Sequence, residues 1–285
     1  MSIFISSQIR GKKNTGILID PADQNSIYPF LQKYSGLDIS HVLFTHKHWD
    51  HAGNSKNLKK FLNNERKNSH LKKQVVFMAH EQDQENIEGV DVNFKGNQEN
   101  IEINNFNIKA FHTPCHTIGH AMYYFEPQQQ QLQISEDDNK IIQEQINFDS
   151  QSALFTGDTI FLGGVGRFFE GNSQQMYKNF QILKELPKDT DIYCGHEYTV
   201  ANYEWASKIE PENQNLQQIY KKYQNLRKKN KYTIPSKIED ELNTNIFVRC
   251  DQENLKQKFN CNYPVEILCQ LREMKNNNQT DINTI

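Results

Sequence analysis

The chain has 285 residues, 36% of them hydrophobic and 24% charged, with 32 basic side chains against 35 acidic ones and a formal charge of −3. That length suffices for one large domain plus a smaller one, and the near balance of charge leaves no basic field for nucleic acid and no acidic tail. No apolar run approaches the ~18 residues of a membrane span, and the opening residues read as neither a secretory signal nor an Arg-rich presequence.

Residues 1–10 carry no strong strand pattern. Residues 16–20 read as a strand closed by Pro21. Ile27, Tyr28, Phe30, Leu31 and Tyr34 predict a helix over 25–34. Val42, Leu43 and Phe44 form a short buried strand ended by Thr45. Residues 55–63 then predict a helix with Leu58, Phe61 and Leu62 inward. The strand at 74–80 ends on His80, which has no ligand-type neighbour in sequence and reads as structural. Residues 101–104 and 106–110 alternate apolar and polar, a hairpin joined at Asn104-Asn105.

Strands follow at 121–125 and 152–161, separated by a polar low-complexity insertion at 127–151 that reads as a surface loop without chemistry. Residues 173–186 predict a helix with Ser173 as N-cap, and 191–199 contain the last strand. Beyond 199 the pattern turns helical over 200–209, 213–229 and 265–275, with Pro264 at the start of the last helix. This divides the chain into a domain over 1–198 and a helical one over 199–285. Five scattered cysteines (115, 194, 250, 261 and 269) lack C-x-x-C spacing, which suits a reducing compartment.

The densest chemistry lies in Thr45-His-Lys-His-Trp-Asp-His-Ala-Gly-Asn54. A lone histidine beside a strand is usually packed or exposed. Here His46, His48, Asp50 and His51 fall within six positions, and imidazole with carboxylate is a ligand set for zinc or iron. In an extended turn His46 and His48 project to one side. Asp50 and His51 come one step later and can face a second ion.

The run T-H-K-H-W-D-H resembles the signature of the metallo-β-lactamase superfamily, and W-D-H-A-G-N resembles the glyoxalase II (hydroxyacylglutathione hydrolase) family. Further matches are T-P-C-H-T at 113–117, F-T-G-D-T at 155–159, G-V-G-R-F-F-E-G at 164–171 and G-H-E-Y-T at 195–199. The resemblance continues in E-L-N-T-N-I-F-V-R at 241–249, with Ile246 where the family has proline, and in R-E-M-K at 272–275.

That resemblance implies an α+β fold, an αββα sandwich of two mixed sheets flanked by helices, with a C-terminal α-helical domain. It implies seven ligands for two divalent transition-metal ions. His46, His48 and His116 would share one ion with Asp158, and Asp50, His51 and His196 the other, with one Asp158 oxygen on each. Asp50 would also orient a hydroxide shared by the two ions. Asp20 and His120 are implied just behind the ligands. Arg167, Phe169, Tyr198, Arg272 and Lys275 are implied in substrate binding. Phe169 replaces a tyrosine common in the family, and Arg272 and Lys275 share a helix face. Cys115 and Cys194 read as packing residues.

The implied reaction is hydrolysis of S-D-lactoylglutathione and related 2-hydroxyacylglutathiones to the hydroxy acid and glutathione, the second step of methylglyoxal detoxification. A thiolate leaves without strong acid assistance because its conjugate thiol has a pKa of about 8.5. Zinc is the expected metal, with iron or manganese as alternatives. The expected protein is a cytoplasmic monomer, with the mitochondrion as the alternative compartment, and it binds neither nucleic acid nor membrane. Alternative functions are an iron persulfide dioxygenase, which should lack the second-metal ligands and the helical tail, another hydrolase of the same fold, and a non-catalytic metal-binding module, which should have lost a ligand.

Overall fold

The computed structural model describes residues 3–7, 15–22, 24–33, 37–68, 73–103, 106–127 and 152–282. Two compact units are present, one of Met1–His112 with Ala121–Ala153, the other of Thr113–His120 with Leu154–Ile285. The Asn104-Asn105 turn and all but the first residue of the 127–151 insertion lie outside the described residues.

The first unit runs β1 (Ile3–Ser7), β2 (Thr15–Ile19), α1 (Gln24–Lys33), β3 (Asp38–Leu43), α2 (Trp49–Ala52), α3 (Ser55–Asn68), β4 (Val76–His80), α4 (Glu81–Gln84), β5 (Val92–Phe94), β6 (Gln98–Ile103), β7 (Phe106–His112) and β8 (Ala121–Phe125). Strands β1 to β5 form a mixed sheet in chain order. Its β1/β2 pair is antiparallel and the other three pairs are parallel. The apolar runs of β2 and β4 fit strands covered on both faces. Leu18, Val42, Phe44, Leu58, Leu62 and Phe77 belong to the core cluster beside this sheet. Strands β6, β7 and β8 pair antiparallel, with Ile103 opposite Phe106 and His112 opposite Ala121.

Two expectations change in this unit. The opening segment does form a strand, pairing Ile3 to Ser7 against Ile19 to Thr15. An edge strand needs only one neighbour, so its sequence pattern is weak. Helix α3 runs to Asn68, beyond the expected end at 63. Arg66 in its last turns donates to the carbonyl of Ile39 and to Asp38 Oδ2, each at 3.2 Å, and ties the extension to β3.

The second unit holds β9 (Ala153–Gly157), β10 (Ile160–Phe161), β11 (Gly164–Val165), α5 (Ser173–Glu185), β12 (Asp191–Cys194), α6 (Thr199–Ile209), α7 (Gln214–Lys228), β13 (Ser236–Lys237), α8 (Ile238–Thr244), α9 (Glu253–Phe259) and α10 (Pro264–Asn276). The expected single strand at 152–161 breaks after Gly157, where Thr159 N–H closes a turn onto the Thr156 carbonyl at 3.0 Å. Strands β10 and β11 then form a hairpin across Leu162-Gly163.

The cap of α5 is Asn172, not Ser173. Its side chain accepts from the Gln175 backbone N–H while the Gln175 side chain accepts from the Asn172 N–H, a reciprocal capping box. Pro264 opens α10 as expected. Among the helices, Tyr203, Leu216, Tyr223, Leu268 and Leu271 are buried, and each such apolar side chain contributes about 1.5–3 kcal/mol of transfer free energy. Arg249 makes a buried two-point contact to Glu210, Nη1 to Oε2 at 2.7 Å and Nη2 to Oε1 at 3.0 Å. Removing one partner would strand a charge in the interior at about 3–5 kcal/mol.

Candidate metal centre and substrate clamp

In the first unit the ligand loop leaves β3 held on both sides. Phe44 N–H donates to the Met78 carbonyl at 2.9 Å, Tyr123 OH donates to the Phe44 carbonyl at 2.8 Å, and Ala121 N–H donates to the Thr45 carbonyl at 2.7 Å. Asp20, at φ +48, sits directly beneath. Its Oδ1 accepts from Thr45 N–H at 2.7 Å, and its Oδ2 accepts from Thr45 Oγ1 at 2.6 Å and faces His51 Nδ1 at 2.8 Å.

These contacts settle two tautomers. A carboxylate only accepts, so His51 carries its proton on Nδ1 and leaves Nε2 with a lone pair. The Thr45 hydroxyl gives its proton to Asp20, so its oxygen accepts from His46 Nδ1 at 3.0 Å. His46 Nε2 is thereby a lone-pair donor as well. It lies 3.1 Å from His48 Nδ1. Two nitrogens bound to one tetrahedral ion at 2.0–2.1 Å stand about 3.3 Å apart, so the pair fits a shared ion. Asp50 lies in the first turn of α2, and a carboxylate oxygen of it lies within 4.8 Å of a His51 ring nitrogen.

One residue missed in the sequence reading also holds this loop. Asp83, fully buried at α4, accepts from Lys47 N–H at 2.9 Å, between the two histidines of the H-x-H run. His80 is structural, as expected. Its Nδ1 accepts from Gln82 N–H at 3.3 Å, and its ring stacks on His112 at 3.8 Å.

The second unit brings together His116, Asp158 and His196. Asp158 Oδ2 lies 3.5 Å from Nε2 of both histidines. His116 Nδ1 donates to the Arg167 carbonyl at 3.0 Å, which places the ring's lone pair on Nε2. Gly166 lies against Asp158 and His116. A Cβ there would stand 1.9 Å from the Asp158 carbonyl oxygen and 2.9 Å from His116 Nδ1.

His120 is fully buried. It accepts from Asp158 N–H at Nε2, 3.0 Å away, so its proton is on Nδ1, which faces the Thr113 and Thr159 hydroxyls at 3.1 and 2.9 Å. Cys115 and Cys194 are thiols pushed up to about 12, mainly by burial. Neither supplies a thiolate nucleophile near neutral pH.

Beside these ligands stand the substrate candidates of the same unit. Phe169 is 60% exposed, its ring 5.2 Å from that of His116. Tyr198 is 51% exposed and stacks on His196 at 4.8 Å. Arg272 is largely buried, donating from Nη1 to the Val165 carbonyl at 3.0 Å and from Nε to Asn276 Oδ1 at 3.1 Å. Burial, then the charge of Arg167, lowers its pKa to about 10. Lys275 is brought down to about 8 by burial first and the Arg272 charge second. Its Nζ donates to the Ala201 carbonyl at 3.4 Å and stands 4.9 Å from the Trp205 ring. Burial and neighbouring positive charge thus lower both Arg272 and Lys275, an arrangement suited to an anionic ligand.

These histidines and aspartates are of the kind that hold divalent metal ions. Residues 6–128 match the metallo-beta-lactamase superfamily, and residues 197–278 match the family described as hydroxyacylglutathione hydrolase C-terminus. The cytoplasmic hydroxyacylglutathione hydrolase of Arabidopsis thaliana is 33% identical over 260 residues, covering 90% of this chain and 88% of the relative. That of Dictyostelium discoideum is 31% identical, with 93% and 91% covered. Among solved structures, ETHE1 from Myxococcus xanthus shares the fold at a TM-score of 0.56 and 19% identity, covering 96% of this chain and 91% of that one. The mixed sheets and flanking helices are those of the metallo-β-lactamase fold, the helical C-terminal region is that of the hydroxyacylglutathione hydrolase C-terminus, and the chain belongs to the hydroxyacylglutathione hydrolase family.

Proposed function

We propose that this chain is a thioester hydrolase acting on S-D-lactoylglutathione and related 2-hydroxyacylglutathiones, with His46, His48, Asp50, His51, His116, Asp158 and His196 holding two zinc ions. The observation that carries this reading is the set of fixed tautomers. Asp20 and Thr45 present the Nε2 lone pairs of His51 and His46, and the Arg167 carbonyl presents that of His116. Two divalent ions bound there would supply an activated water and an electrophile for the thioester carbonyl.

The remaining work falls to the chain's own side chains. Asp50 orients the attacking water. Arg167, Arg272 and Lys275 hold the glutathione carboxylates through charge-assisted hydrogen bonds. Tyr198 and Phe169, both exposed beside ligand histidines, bracket the peptide part of the substrate. Residues 199–285 act as the substrate-binding domain, and the family match over 197–278 supports that role. The protein works as a cytoplasmic monomer in this reading. Support comes from the named compartment of the Arabidopsis relative and from five cysteines that are all free thiols. No described helix is long and apolar enough to cross a membrane.

The decisive experiment combines a thioester absorbance assay with metal analysis of the purified protein. Close to two metal ions per chain and steady hydrolysis of S-D-lactoylglutathione are expected. Full metal loading without thioester hydrolysis would overturn the substrate assignment.

A further inference from the structure

The β10–β11 hairpin is too short to define itself. Its strands have two residues each, and its turn is Leu162-Gly163. Gly163 has φ +68, and a Cβ on it would meet the Tyr203 ring at 2.7 Å. Yet the arms of this hairpin carry Asp158 at one end and Arg167 at the other, two residues on which the reading above rests.

The tip is satisfied almost entirely by helix-borne side chains of the same unit. Asn245 Nδ2 donates to the carbonyls of Phe161 and Gly164 at 3.2 and 3.0 Å. Gly163 N–H donates to Glu241 Oε2 at 2.8 Å. Asn202 Nδ2 donates to the Leu162 carbonyl at 3.2 Å. Arg272 completes the set at Val165. Asn245 is itself fixed. It is fully buried at the C-cap of α8, its Oδ1 accepts from Phe247 N–H at 3.1 Å, and its Nδ2 also reaches Glu241 Oε2 at 3.0 Å. No other residue holds both strands of the hairpin at once among the described contacts.

We propose that Asn245 is a positioning residue which, through the β10–β11 hairpin, sets the placement of Asp158 and Arg167. Its amide replaces the cross-strand bonds that a longer hairpin would make for itself. Loss of the amide leaves two buried carbonyls without their donor, and the strain passes to the hairpin base, where Gly166 N–H meets the Thr159 carbonyl at 3.4 Å. Arg272 braces the hairpin too, so its partner bond couples the clamp to the same element.

The test compares the full chain with N245A and with L255A, a core substitution buried in α9 away from this network. Amide hydrogen exchange over residues 158–167 and the rate of metal loss to a chelator are measured at equal distance below each protein's Tm. N245A is expected to exchange at least tenfold faster over 158–167, to lose metal at least tenfold faster and to raise KM, while L255A matches the parent in all three. Equal behaviour of N245A and L255A would overturn the proposal. Should N245A fail to fold, N202A removes the single Leu162 bond. A rise of about threefold in exchange over 158–167 then supports the brace, and unchanged exchange overturns it. If the parent holds no metal, Asp158 has been misread as a ligand, and exchange alone then decides the role of Asn245.

Discussion

Asp158 donates its backbone N–H to Nε2 of His120 at 3.0 Å, and the same imidazole points its Nδ1 at the Thr113 and Thr159 hydroxyls. A fully buried histidine is thus spent on holding the backbone of a carboxylate that faces His116 and His196. His120→Ala removes that anchor and leaves the Asp158 N–H without its acceptor. Metal affinity should fall by about 10–100-fold, the range seen when groups behind a metal ligand are lost. Equilibrium competition against a chelator measures it. An unchanged affinity would reduce His120 to a packing residue.

Asp20→Asn keeps the shape beneath the ligand loop but changes its chemistry. An amide can no longer accept from Thr45 N–H, Thr45 Oγ1 and His51 Nδ1 together. The His51 tautomer is then free to switch, and about one ion per chain should remain after dialysis. Two retained ions with parent kinetics would show that Asp20 does not fix the tautomer.

The lowered pKa of Lys275, about 8, predicts an alkaline limb. Lys275 is cationic below that pH and loses its charge above it, so kcat/KM for a carboxylate-bearing substrate should decline above pH 8 while kcat holds. Lys275→Arg should move the limb to higher pH, and Lys275→Met should raise KM about tenfold at pH 7, the loss of a charge-assisted bond. Identical profiles for both variants would remove Lys275 from the clamp.

Glu241 is buried and held up at about 7, with burial as the main cause. Its folded pKa exceeds the unfolded value of 4.5, so the protonated form is favoured in the fold. That stabilisation is complete below pH 4.5 and is lost as pH rises through 7. Glutamine can keep its carbonyl toward Gly163 N–H and present its NH2 to the Ser236 and Tyr203 hydroxyls. Relative to Glu241→Gln, the parent should therefore lose about 3 kcal/mol between pH 4.5 and 8, the free energy of a shift of this size. Urea unfolding at the two pH values reads it, and parallel stability curves would refute the buried titration.

Where partners lie close in sequence, the candidate site is legible. His46 to His51 announce themselves because a ligand set needs several donors in one short loop. The motifs around His116, Asp158 and His196 were found by their likeness to a family, and the fold followed from them. Partners far apart in sequence stayed hidden. Asp83 reaches Lys47 across 36 residues, and Asn245 reaches Phe161 across 84. Nothing in local periodicity marks such pairs, since an aspartate after a strand and an asparagine after a helix are ordinary caps. The strand Ile3–Ser7 was missed for a different reason: one-sided pairing imposes little pattern.

The crowding at Gly166 has a consequence for how the chain can vary. Every other residue type brings the carbon that would collide with the Asp158 carbonyl and crowd His116 Nδ1. No coding change at that position is silent for the centre, however small the new side chain. A saturation library scored for activity should show an empty column at 166.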